Sequence, residues 1–208
     1  MKQAASANDN KFKKIIKTLG DVFVPIIPAI VAGGLMMGLT ESINFCVNNG
    51  YLAIDTSASW YVFLTMFSNA AYIFLPILIG FSSAKVFGGN QFLGAVIAMI
   101  MLHPDLQNAW TVASEGVLRN QSVWFGLYEI PMVAYQGHII PIVIAVYIMS
   151  FIENKLHKIV PEMIDLFVTP LVTVFITGYL TLTLVGPVFV FLENSLLTGV
   201  QQIVQLPF

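Results

Sequence analysis

The stretch MVAYQGHIIP, Met132 to Pro141, gathers the most unusual polar cluster of the chain. Tyr135, Gln136 and His138 bring neutral donors and acceptors together, and Gly137 between them permits close backbone approach. Sugar hydroxyls require such groups beside an aromatic face, so one chemistry open to these three residues is substrate binding to a carbohydrate. The other is hydrogen bonding that holds helices together. Pro141 frees the backbone carbonyl of Gly137 for either use.

The remaining candidates are weaker. His103, in MLHPDL, precedes Pro104 and reads as an interfacial residue at the end of an apolar run. His157 lies between Lys155 and Lys158 and reads as solvated. Histidines so scattered give no metal-ligand spacing, and the single Cys46 excludes an internal disulfide and a cysteine-rich metal centre. Cys46 reads as a small apolar filler near a helix end. With no Ser-His-Asp order, phosphate-cradling glycine loop or CxxC, the reading assigns no catalytic residue and no cofactor or metal site. Glu41, Glu129, Glu153 and Glu193 fall near the ends of apolar segments, where interface solvation suffices. A proton relay or voltage sensor would place charges centrally. Glu162 and Asp165 are expected in a short amphipathic element, capping it or facing the cytoplasm.

The elements that position these residues follow from the solvent. Hydrophobic residues make up 57% of the chain and charged ones 10%, with mean hydropathy +0.83. A soluble domain carries about 25% charged residues, so the surroundings of most of this chain are lipid. A net charge of −2 gives no electrostatic footprint for nucleic acid.

Five apolar segments suggest themselves: 22–45, 60–81, 92–102, 130–152 and 167–191. The third is short and is either re-entrant or, extended back to Phe87, a crossing. Residues 192–208 place Leu196, Leu197, Val200, Ile203 and Val204 at helical spacing, as in an amphipathic interfacial helix. Residues 1–12 read as a disordered leader or linker remnant, and the apolar run that follows as an uncleaved first span. Five crossings from a cytoplasmic N-terminus put Lys2, Lys11, Lys13, Lys14, Lys17, Lys85, Lys155 and Lys158 inside and only Arg119 outside. That asymmetry follows the positive-inside rule and favours the third segment as a crossing. The fold class expected is all-α, a polytopic transmembrane helix bundle of about five spans.

Three separated stretches carry a resemblance: FVPIIPAIVAGGLMMGL, YQGHIIPIVIAVYIMSFIENKL and VPEMIDLFVTPLVTV. They resemble the membrane-embedded enzyme IIC of the bacterial phosphoenolpyruvate-dependent sugar phosphotransferase system, in the sucrose, trehalose and beta-glucoside branch of the glucose superfamily. The resemblance implies a permease of roughly ten spans in the bacterial cytoplasmic membrane, working as a homodimer. It would pass a sugar, a disaccharide or beta-glucoside, inward while EIIB and EIIA components phosphorylate it. Residues 13–208 are then expected to be the N-terminal half of such an EIIC domain, mainly scaffold and dimer interface, and inactive alone. The family's Gly-Ile-Thr-Glu signature is missing; GLTE at Gly38 to Glu41 lies in the wrong half. The phosphorylated IIB cysteine is missing too. A structural membrane module, or a carrier without a phosphotransfer role, is the alternative. Pro25, Pro28, Gly33 and Gly34 are expected to kink the first span and let it pack closely on neighbours.

Overall fold

The computed structural model describes residues 2–116 and 118–189, with 191, 192, 195 and 198 beyond them; side chains are described from Lys13 onward, except those of Ala113 and Glu115. The chain divides at Leu78 into two compact units.

In the first unit α1 (Lys2–Phe23) is joined to α2 (Ile27–Asn48) by a 3-10 turn at Val24–Ile26, and α3 (Ser59–Ile73) follows. Helix already runs from Lys2, where the sequence suggests a disordered leader over 1–12. No proline or glycine interrupts that stretch, and its alanines and lysines are good helix formers. Pro25 and Pro28 sit in the first turns of the 3-10 segment and of α2, where a missing N–H matters least. The expected close packing is present. A Cβ on Gly33 would lie 2.9 Å from that of Ala71, and one on Gly34 2.8 Å from the Tyr72 hydroxyl. Because Gly34 leaves that space, the Tyr72 hydroxyl donates to the carbonyl of Ile30 at 3.2 Å. Tyr61 donates to Asn44 Oδ1 in the same helix pair. Cys46 is half-buried and free near the end of α2.

The second apolar segment is not one helix. α3 ends at Ile73, Phe74 makes a turn, and α4 (Leu75–Phe87) begins. Pro76 has no N–H for the carbonyl of Tyr72, so the ladder restarts with Ile77 N–H donating to Phe74 O at 2.9 Å.

In the second unit α5 (Gln91–Met101), α7 (Ile139–Leu156) and α8 (Glu162–Leu180) pack on one another, and the later turns of α4 meet α5 and α7. Gly80 and Gly94 bring α4 and α5 into backbone contact; a Cβ on Gly80 would lie 2.5 Å from the Gly94 carbonyl oxygen. The intervening turn uses Gly88 at φ +73°, which side-chain-bearing residues seldom adopt. Asn90 then caps α5, its Oδ1 accepting from Phe92 N–H at 2.9 Å. α7 secures this turn. Glu153 Oε2 accepts from Asn90 N–H at 2.8 Å, and Asn154 Nδ2 donates to Gly88 O at 3.1 Å. Glu153 is therefore 5% exposed rather than snorkelling into the interface. His157, read as solvated, lies 2.7 Å from Asp165 Oδ2 at the α7–α8 joint. Asp165 and Glu162 are in the first turn of α8 itself, where carboxylates favour the helix dipole; no separate amphipathic element precedes the span.

Two other expectations change. The fourth segment is helical only from Ile139, so Pro141 is third in α7 and breaks no helix bond. Its predicted effect on Gly137 is absent. An unforeseen hairpin, β1 (Asn120–Val123) antiparallel to β2 (Tyr128–Pro131), lies between α6 (Ala109–Glu115) and α7. Among the described residues four stretches are long and apolar enough to cross a membrane: Lys13–Asn48, Ser59–Phe87, Ile139–Leu156 and Glu162–Phe189. α5, with 11 residues, rises about 16 Å, about half the hydrocarbon core. Leu196, Leu197, Val200, Ile203, Val204 and Glu193 lie outside the described residues.

α8 shows the polarity of a membrane helix. Thr169, Thr173 and Thr177 form its buried face, continued by Thr181 just beyond it, while Leu171 and Phe175 are 71% and 73% exposed. After Leu180 a π turn, Thr181–Val185, interrupts the α-helical pattern, which resumes over 186–189.

The crossing of α4 and α5 generates a stability test. Gly80→Ala should destabilise the protein by about 1–3 kcal/mol, as overpacking against backbone does. Gly38→Ala, where nothing lies within 4 Å, should be neutral or mildly stabilising. Thermal unfolding in detergent should separate the two; equal melting temperatures would refute the packing assignment.

Candidate functional site

The non-helical segment from Met132 to His138 is held by backbone bonds. Gln107 N–H donates to Met132 O at 2.7 Å, Ala134 N–H to Gln107 O at 2.8 Å, and Tyr135 N–H to Met101 O at 3.0 Å. The segment is thereby pinned to the end of α5 and to the loop beyond it. Gly137 at φ +82° turns the chain before α7, with His138 at the helix N-cap.

Tyr135 is 6% exposed. Burial pushes its hydroxyl up to about 12, so it stays a protonated donor near neutral pH. The phenol lies directly against Gly186, just past the π turn, where any Cβ would collide with it. The His138 ring stands edge-on to Tyr135 with centroids 6.4 Å apart. Both residues line a pocket of about 440 Å³, with Val112, Leu118, Pro131, Val133, Ala134, Pro187 and Phe191 as the other walls. This size suits a small ligand, and the walls are apolar with few polar groups, as binding pockets commonly are.

Gln136 is placed differently. Its Oε1 accepts from Ala109 N–H at 2.8 Å, and Asn108 Oδ1 accepts from Trp110 N–H at 2.9 Å. These two side chains satisfy the first N–H groups of α6, and Gln136 is not among the residues lining the pocket. Of the three residues picked from sequence, the fold brings two to a pocket and uses the third as a cap. His103 is exposed, its Nδ1 accepting from Asp105 N–H at 3.2 Å, so it serves its own turn.

Sequence reasoning missed the residues that hold the loop over α8. The Tyr128 hydroxyl donates to Thr183 O at 2.8 Å, and Trp124 meets Tyr179 edge to face at 5.2 Å. Thr183 lies inside the π turn, an irregularity common at functional sites. Gly186-Pro187 within an apolar run was the available signal. A smaller pocket of about 150 Å³ adjoins the first, with Tyr135 in its wall beside Gln121, Tyr179 and Thr183. A larger trough, about 610 Å³, runs along α8 between Pro170 and Leu182. Its lining is almost wholly apolar, so it offers no directional chemistry and has the character of a lipid-facing surface. Among the described residues no group of three His, Cys, Asp or Glu could hold a metal ion.

Comparison with known proteins agrees with the resemblance. Residues 20–207 match the family described as Phosphotransferase system, EIIC. The chain is 46% identical over 178 residues to the sucrose-specific EIIBC component of Klebsiella pneumoniae, covering 86% of this chain and 37% of that protein. It is 46% identical over 184 residues to the sucrose-specific EIIBC component of Bacillus subtilis, covering 88% and 38%. To the trehalose-specific EIIBC component of the same organism it is 37% identical over 206 residues, covering 96% and 44%. It thus spans about two fifths of the length of these relatives. No solved structure matches. Apolar helices of membrane-crossing length, and a family match that runs through nearly all of them, lead to one assignment: the chain belongs to the phosphotransferase system EIIC family.

Proposed function

We propose that this chain is part of a sugar permease of the bacterial inner membrane, which moves a disaccharide inward as EIIA and EIIB components phosphorylate it. The observation that carries this reading is the 46% identity to sucrose-specific EIIBC components. Sucrose and trehalose are the first sugars to test, since those names occur among the relatives. In this reading the described helices chiefly scaffold the permease and its homodimer, and residues 13–208 are the N-terminal half of the EIIC domain. The 208 residues alone transfer no phosphate to sugar.

Tyr135 and His138 are the residues we assign to sugar contact, from one wall of the 440 Å³ pocket. The phenol and the imidazole supply hydrogen bonds, and the ring faces pack against the apolar side of a sugar. Gln136 supports them by fixing the start of α6. The N-terminus is cytoplasmic, which follows the lysine distribution. α7, with 18 residues, is about 27 Å long. Its two ends, near His138 and His157, therefore fall at opposite membrane faces.

Three measurements test this. Exchanging the aligned part of the Klebsiella sucrose EIIBC component for this chain should preserve phosphoenolpyruvate-dependent sucrose phosphorylation. A properly inserted chimera inactive on both sucrose and trehalose would refute the substrate assignment. In an active chimera, His138→Ala should weaken sugar affinity by about threefold to tenfold, as the loss of about one hydrogen bond does. Gln136→Ala should instead lower the melting temperature with affinity nearly unchanged; the reverse pattern would make Gln136 the ligand contact. The same lysine distribution requires α5 with its flanking residues to complete a further crossing. On a Cys46→Ala background, Gln121→Cys and Lys158→Cys should therefore react with an impermeant reagent from the outer and inner sides respectively. Labelling of both from one side would overturn the topology.

A further inference from the structure

α2, with 22 residues, rises about 33 Å and by itself matches a hydrocarbon core of about 30 Å. The turns of α1 that precede it are therefore surplus to the crossing. Their side chains are sharply segregated. At 3.6 residues per turn, Ile15, Ile16 and Leu19 fall within an arc of about 100°, while Lys13, Lys14 and Lys17 occupy the opposite side with Asp21. The apolar arc is not covered by the protein: Ile15 is 59% exposed, Ile16 54% and Leu19 38%. The three lysines are exposed as well.

A surface that is apolar on one side and cationic on the other fits a medium with an oily interior and an anionic boundary. A water-filled setting would leave three large aliphatic side chains hydrated. A second copy of the same helix would set lysines against lysines along the seam edges. We infer that the α1 turns from Lys13 onward lie in the bilayer interface, with Ile15, Ile16 and Leu19 among the acyl chains. Lys13, Lys14 and Lys17 then engage anionic phospholipid headgroups. The joint between α1 and α2 suits this placement. Pro25 and Pro28 stand in the first turns of the 3-10 segment and of α2, and proline is a usual site of a helix bend. The prolines allow a surface helix to become a spanning one. Each lysine near an anionic surface contributes about 1 kcal/mol, roughly fivefold in local lipid preference.

The test uses the whole chain on a Cys46→Ala background, with a single cysteine replacing Ile16 and carrying a bimane fluorophore. The protein is reconstituted into vesicles containing acyl-brominated phosphatidylglycerol or acyl-brominated phosphatidylcholine at equal mole fraction. Quenching should occur with both lipids and be about twofold to fivefold stronger with phosphatidylglycerol. That excess should vanish in Lys13→Gln/Lys14→Gln/Lys17→Gln. It should also vanish in the unmutated helix when salt rises from about 0.1 M to about 1 M, which shortens the Debye length from about 10 Å to about 3 Å. Absence of quenching by either lipid would place the apolar face on protein or in water and overturn the inference. Equal quenching by the two lipids would overturn the headgroup assignment. The outcome is independent of which sugar, if any, the protein carries.

Discussion

Inside a bilayer there is no water to take an unpaired backbone N–H or C=O, and this requirement bears on each place where a crossing helix is interrupted. Regular helix meets it within each segment. Wherever the helix is interrupted, a polar partner or a tighter turn is found nearby. At the proline joint of α1 and α2 the 3-10 turn tightens, Ile27 N–H donating to Val24 O. After Pro76 breaks the ladder, Phe74 O takes the amide of Ile77. At the α4–α5 turn the buried carboxylate of Glu153 accepts Asn90 N–H, and Asn154 donates to Gly88. Over the π turn, Tyr128 donates to Thr183. The Glu153 carboxylate is buried, and the amide hydrogen bond it accepts offsets part of its lost hydration.

The same medium explains how the helices associate. Lipid is as apolar as leucine, so helices gain little from hiding aliphatic side chains and instead gain contact area through close approach. Gly33 and Gly34 admit α3 in the first unit, and Gly80 with Gly94 let two backbones meet in the second. The threonine column of α8 faces inward while leucine and phenylalanine face outward, the reverse of a helix in water. The candidate pocket depends on this order. Gly186 makes room for the Tyr135 phenol against α8, and the pinned backbone of 132–135 carries His138 to the same wall.

Composition and pattern alone determined the solvent, the helical class, the approximate apolar segments and, through three quoted stretches, the family. These are properties of residue type and short-range order. The Gly33-Gly34 contact was also legible, since adjacent glycines in an apolar run serve few other purposes. Tertiary structure decided the rest, because it turned on partners distant in sequence. Gln136 looked like a sugar ligand beside Tyr135 and His138. Its oxygen is instead taken by Ala109, 27 residues earlier. Glu153 looked like an interfacial charge, yet its partner is Asn90, 63 positions away. The hairpin of 120–131 and the π turn after Leu180 have weak local signals, and the two are tied together by the Tyr128 hydroxyl donating to the backbone carbonyl of Thr183. Periodicity states which residues share a face; only the folded chain states which donor meets which acceptor, and in a membrane that matching sets the site.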